Sequence, residues 1–202
     1  KLGTNIANIY YRHPFLAAGT ARTIAELSDG RLILGFGMSH RRMLASLGID
    51  MGNARETLRD YVDYVKRALN GEAGEGFLQS TPVSVEVPVY VAGNTIESAA
   101  VAGEVGDGLM PFLSPLSYLP TLVQAATESA NSNGKFPCIL SIPTFLSDDR
   151  EAALSAARYN LAFFANLPNY RRQWRRAGFS ECMDAIKSAP PKSSRRELAA
   201  LI

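Results

Sequence analysis

The sequence is short of the side chains that most metal and thiol chemistry needs. In 202 residues it has two cysteines, Cys138 and Cys182, and two histidines, His13 and His40. The cysteines stand far apart with no CxxC spacing, so they read as reduced thiols of a cytoplasmic protein, and no metal site is assigned. No apolar run approaches the roughly 20 residues of a membrane span, and no signal peptide is visible. An excess of one charge is lacking too. A formal charge of +2 offers nothing to nucleic acid or to an anionic membrane surface. The one basic cluster, Arg171, Arg172, Arg175 and Arg176 around Trp174, reads as a solvated helix face whose stems cover the aromatic ring. Neither a GxSxG elbow nor a P-loop is present. Gly35-Phe36-Gly37 has no third glycine three places on, where His40 stands, so the dinucleotide fingerprint is incomplete.

What remains is alternation. Leu32–Phe36 is an uninterrupted apolar run bounded by turn residues, the pattern of a strand covered on both faces. Four other stretches, Leu2–Ile6, Val89–Ala92, Leu109–Pro111 and Ile139–Phe145, read as strands, and helical patterns separate them. Pro14 opens a helix over 14–27 whose inward face is expected to be Leu16, Thr20, Ile24 and Leu27. Asn53 to Glu56 resembles a capping box ahead of the stripe Leu58, Tyr61, Val62, Val65 and Leu69. A third helix follows Gly93-Asn94-Thr95, with Ile96, Ala99, Ala100 and Gly103 inward. Asp148-Asp149 starts a long helix carrying Leu154, Ala157, Leu161 and Phe164, which Pro168 breaks. Residues 71–86 are glycine-rich and polar, a flexible excursion. Such alternation predicts an α/β fold of parallel strands in a single domain over 1–202.

In parallel α/β folds ligands bind at the carboxyl ends of strands. Ser39 and His40, just beyond the strand at 32–36, are therefore the candidate catalytic pair. His13 beside Pro14 reads instead as a helix-start residue. Ala92-Gly93-Asn94-Thr95 leads into a helix N-terminus, where free N–H groups suit a phosphate or carboxylate and Gly93 permits close approach. An ordinary N-cap by Asn94 or Thr95 accounts for the same residues.

Several stretches in order resemble the luciferase-like monooxygenase family, and within it the branch using the deazaflavin coenzyme F420. They are Leu2-Gly3-Thr4-Asn5-Ile6-Ala7-Asn8, Arg12-His13-Pro14, Glu26 to Arg31 and Leu34 to His40. Val89 to Gly93, Ala102 to Gly108, Leu167 to Tyr170 and Gly178-Phe179 continue the likeness. It implies a (β/α)8 barrel in which the opening strand matches the family's third and the stretch at 138–146 its seventh. The first two strands and the last would then be absent, so the chain, which does not begin with methionine, reads as a piece of a longer protein. The likeness further implies an oxidoreductase that moves a hydride between coenzyme F420 and a small organic substrate, often as a homodimer. An FMN-dependent monooxygenase is the alternative, and a truncated, non-catalytic barrel another. Thr4 and a bulge at Asn5-Ile6 with a non-prolyl cis peptide would back the cofactor ring. Asn8 would meet the ring's polar edge, and Ala92, Gly93 and Asn94 the phosphate. Met38 stands where some relatives carry a catalytic glutamate, which leaves His40 as the candidate proton donor.

Overall fold

In the computed structural model, residues 1–72, 83–130 and 134–202 are described. The glycine-rich excursion therefore lies largely outside the described residues. The chain forms two compact units, a division that the single-domain reading does not draw. The first comprises Lys1–Phe112 with Thr121–Leu140, and the second Leu113–Pro120 with Ser141–Ile202.

The first unit is built on an all-parallel sheet. Its strands are β1 (Leu2–Gly3), β2 (Ala7–Asn8), β3 (Leu32–Gly37), β4 (Val89–Val91) and β5 (Gly108–Leu109). Their order is β1-β3-β4-β5, with β2 also pairing β3. Helices α1 (Pro14–Leu27), α2 (Arg41–Ser46), α3 (Ala54–Leu69), α4 (Ile96–Val105) and α5 (Leu119–Ser129) connect or follow the strands. Parallel neighbours joined by helices are the βαβ units that the alternation predicts.

β3 is the centre of this unit. Leu32, Leu34 and Phe36 are buried, and the Phe36 ring meets Tyr61 of α3 edge-on at 5.1 Å. All five residues of the α3 stripe, Leu58, Tyr61, Val62, Val65 and Leu69, are buried as expected. Burial pushes the Tyr61 phenol up to about 12, and its hydroxyl donates to Arg12 O at 3.0 Å.

Three sequence expectations are corrected. Helix α1 has the expected bounds, but its buried side is Ala17, Ala18, Ala21 and Ala25, while Leu16, Ile24 and Leu27 are exposed. Small residues let α1 lie close on α3 and β3, and that close fit outweighs burial of larger side chains one step round the helix. In α4 likewise, Ala99, Val101, Ala102 and Gly103 are buried, whereas Ile96 is exposed. Secondly, Leu2–Ile6 is not one strand. Leu2 and Gly3 pair with Leu32 and Ile33, whereas Ala7 and Asn8 pair with Phe36 and Gly37. Four steps from Gly3 to Ala7 oppose three from Ile33 to Phe36, so the opening strand carries one extra residue, the bulge that the resemblance implies at Asn5-Ile6.

Thirdly, Ile139–Phe145 does not form a strand. A parallel bridge between Leu109 and Cys138 precedes it, with Ile139 N donating to Leu109 O at 2.9 Å. Pro137 and Pro143 withhold donors on either side of this rung, and no described strand pairs with the segment's other edge.

The second unit is helical: α6 (Arg150–Ala165), α7 (Pro168–Arg176), α8 (Ser180–Ser188) and α9 (Arg195–Ala199). Pro168 starts α7 rather than merely ending α6. Leu154, Ala157, Leu161 and Phe164 are only half-buried, and the buried residues of α6 are Ala162 and Ala165. The basic cluster behaves as a helix face. Trp174 is buried, with its indole Nε1 donating to Leu113 O at 2.9 Å. Arg171 donates to the Ala165 and Asn166 carbonyls at 3.1 and 2.7 Å, and Arg175 pairs with Asp184 at 2.6 Å. No helix among the described residues is long and apolar enough to cross a membrane.

Candidate functional site

Because β2, β3, β4 and β5 run parallel, their carboxyl ends open on one side of the sheet. The residues following them are Ile9, Met38 to His40, Ala92 to Asn94 and Met110 to Phe112. Most residues singled out in the sequence thus stand along one edge.

The centre of that edge is tight. At Gly35 a Cβ would fall on the Thr4 carbonyl oxygen and lie 2.7 Å from Met110 Sδ. At Gly37 it would lie 2.8 Å from Ile6 Cδ1 and 3.1 Å from Ala92 Cβ. Ile6, Gly37 and Ala92 therefore converge, and Ala92 N donates to Phe36 O at 2.8 Å. Met110 belongs to this wall although nothing in its local sequence marks it. Only the pairing of β5 beside β4 brings it there.

The peptide between Asn5 and Ile6 is cis, as the resemblance implies. Neither residue makes a main-chain hydrogen bond to β3 among the described residues. The Thr4 hydroxyl is engaged twice, donating to Gly35 O and accepting from Gly35 N, each at 2.8 Å. Asn8 Oδ1 accepts from Tyr10 N at 2.9 Å in a local turn.

At the β4 end the two readings of Ala92-Gly93-Asn94-Thr95 separate. Thr95 is the N-cap of α4. Its side chain accepts from Ser98 N, and the Ser98 side chain accepts from Thr95 N. This capping box spends two of the N–H groups that an anion could use. Asn94 Oδ1 accepts from Phe112 N at 2.9 Å and so joins the loops after β4 and β5. A Cβ at Gly93 would lie 2.9 Å from Leu109 Cδ1 and 3.0 Å from Ala99 N. Packing alone therefore requires glycine there, and Gly93→Val would disturb the fold before it tested an anion. The Thr95-x-x-Ser98 spacing was a visible signal for the cap; the Asn94–Phe112 bond had none.

Ser39 and His40 follow β3. Ser39 takes a left-handed φ of 62°, and its hydroxyl donates to Met43 Sδ at 3.6 Å. His40 is the N-cap residue of α2 without a side-chain capping bond. Partial burial lowers its pKa below the ordinary 6.5, so the imidazole is neutral at pH 7. It is thereby a better acceptor than proton donor. His13 does act at a helix start, its Nδ1 accepting from Phe15 N at 3.2 Å. No cluster of three metal-ligating side chains occurs among the described residues.

The lowered value at His40 carries a sign. The unfolded chain takes up the proton first as pH falls, so the stabilisation from neutral His40 is present above 6.5 and is lost as pH drops through the folded-state value. Urea unfolding at pH 7.5 and 5.5 should therefore show a smaller loss of stability in His40→Gln than in wild type. An equal loss would place the titration elsewhere.

The luciferase-like monooxygenase family model matches residues 1–202. A 5,10-methylenetetrahydromethanopterin reductase of Archaeoglobus fulgidus is 27% identical over 177 residues, covering 81% of this chain and 53% of that protein. The chain thus spans about half the length of that relative. Among solved structures, the coenzyme F420 dependent tetrahydromethanopterin reductase from Methanopyrus kandleri superposes with a TM-score of 0.73. It is 21% identical and covers 100% of this chain and 67% of its own. A type II Baeyer-Villiger monooxygenase from Pseudomonas putida, in complex with FMN, gives a TM-score of 0.63. It is 17% identical and covers 100% of this chain and 64% of its own.

Proposed function

Because the chain belongs to the luciferase-like monooxygenase family, we propose that its strand-end site serves an oxidoreductase using coenzyme F420 and a small organic substrate. The observation that carries this reading is the wall formed where Ile6, Gly37 and Ala92 converge. Beside it, the Asn5 and Ile6 main-chain groups are not committed to β3.

These residues fit a flat, polar-edged ring. A close-packed wall lined by the Ile6 and Ala92 side chains offers an apolar face, and peptide groups not committed to β3 offer hydrogen bonds along an edge. In this reading Asn5 and Ile6 back the ring, and the Asn8 amide nitrogen is directed to its polar rim. Ala92, Gly93 and Asn94 border the phosphate-bearing tail. When bound, the deazaflavin supplies the hydride chemistry. The chain's part is to hold the ring against the substrate and exclude water. Ser39 and His40 border the substrate side, where His40, its pKa lowered by burial, would accept or relay a proton at an imidazole nitrogen. The relative named as a methylenetetrahydromethanopterin reductase and the F420 dependent reductase structure support this choice of cofactor. The FMN complex of the Pseudomonas putida monooxygenase supports the second reading, an FMN-dependent monooxygenase.

Titration of the protein with each cofactor, followed by cofactor fluorescence, separates these readings. Tighter binding of coenzyme F420 than of FMN is the expected result. Preference for FMN together with oxygen consumption would move the assignment to the monooxygenase, and binding of neither would favour a non-catalytic chain.

A further inference from the structure

We infer that Thr4 is a positioning residue, whose hydroxyl replaces a main-chain rung of the sheet and so releases the Asn5–Ile6 main chain toward the strand-end site. Thr4 N continues the β1 ladder, donating to Ile33 O at 3.2 Å. Continued pairing would give the Gly35 N–H and C=O partners from the opposite main chain. Instead one hydroxyl serves both, accepting from Gly35 N and donating to Gly35 O at 2.8 Å each. Gly35 is buried, so both its polar groups need partners. The rung is satisfied, and the register slips by one residue before Ala7 pairs with Phe36. Asn5 and Ile6 occupy that slip, with no main-chain bond to β3 among the described residues. A hydroxyl is required because no other small group both donates and accepts within one atom. Its donor is spent on Gly35, so Thr4 fixes the site's geometry rather than holding the cofactor.

The cofactor readout of this inference rests on the proposed function; the hydrogen-bond readout does not. Thr4→Val keeps the shape and removes the hydroxyl, and Thr4→Ser keeps the hydroxyl. Amide hydrogen exchange at Gly35 reports the rung. Exchange at Leu34, whose N–H donates to Pro88 O on the other side of β3 at 2.9 Å, serves as the control. Thr4→Val should accelerate Gly35 exchange by roughly tenfold or more while Leu34 is unchanged. It should weaken coenzyme F420 binding by about the same factor, and Thr4→Ser should restore both. Equal acceleration at Gly35 and Leu34, or a Thr4→Ser variant as impaired as Thr4→Val, would overturn the inference. Unaltered cofactor affinity in folded Thr4→Val would do the same. Should the wild type bind neither cofactor, the proposed function fails and the exchange pattern alone decides. Should Thr4→Val not fold, Thr4→Ser with wild-type exchange and affinity supports the hydroxyl, and its failure overturns it.

Discussion

Replacing Gly103 with alanine should destabilise the protein by about 3 kcal/mol, lowering Tm by roughly 6–12 °C for a domain of this size. By helix propensity alone the sign would be opposite, since alanine is favoured over glycine in a helix interior by about 1 kcal/mol. The packing term outweighs this. A Cβ on Gly103 of α4 would fall on the carbonyl oxygen of Ala126 in α5, and 2.9 Å from its carbonyl carbon. That neighbour is backbone, so relief requires moving α5 away from α4, which opens contacts along both helices. The contrasting variant is Gly19→Ala in α1, where nothing lies within 4 Å of the added methyl. There propensity acts unopposed and the protein should gain about 0.5–1 kcal/mol. Thermal or urea unfolding of the two variants checks the pair. Equal and positive shifts would mean that α4 and α5 are not in the contact described.

The second large effect is expected at Gly35. Gly35→Ala would set its methyl against the Thr4 carbonyl oxygen and 2.7 Å from Met110 Sδ. Met110 is long and flexible and can yield; the Thr4 main chain, tied to β3 through its own hydroxyl and amide, cannot without breaking those bonds. We expect a loss of about 2–4 kcal/mol in stability. In whatever folded fraction remains, coenzyme F420 affinity should fall by at least roughly tenfold, because the Asn5–Ile6 segment moves with Thr4. Unfolding curves and cofactor titration at a temperature where the variant is folded measure the two effects separately. A stable variant of unchanged affinity would remove the Gly35–Thr4 contact from the account.

How far the sequence could be read depended on which force decided each feature. Ends of helices were legible because they are set by local chemistry: Pro14 opens α1, Asn53 caps α3 and Asp149 caps α6. The buried face of α1 was not legible, because periodicity favours Leu16, Ile24 and Leu27, whereas closeness to α3 favours the alanines. The parallel running of the strands followed from alternation; the bulge in the opening strand did not and came only with the family resemblance, since it accompanies a hydroxyl meeting Gly35, 31 residues away. Equally illegible was the bond of Asn94, whose Oδ1 accepts from Phe112 N, 18 residues on. At 138–146 an apolar pattern suggested a strand, yet prolines and the lack of a described partner on its far side leave a bridge at Cys138. The position of Ser39 and His40 beyond β3 was legible from the turn at Gly37; the lowered pKa of His40 came from burial that only the fold supplies.

The central claim is that cofactor sits at the carboxyl ends of β2 to β4, and amide chemical-shift mapping tests it most directly. With isotope-labelled protein and added coenzyme F420, the largest shifts should fall on Asn5 to Asn8, Gly37 to His40 and Ala92 to Asn94, with α8 and α9 unmoved. Saturable binding whose shifts fall on α8 and α9 instead, with the three strand-end segments unchanged, would contradict it.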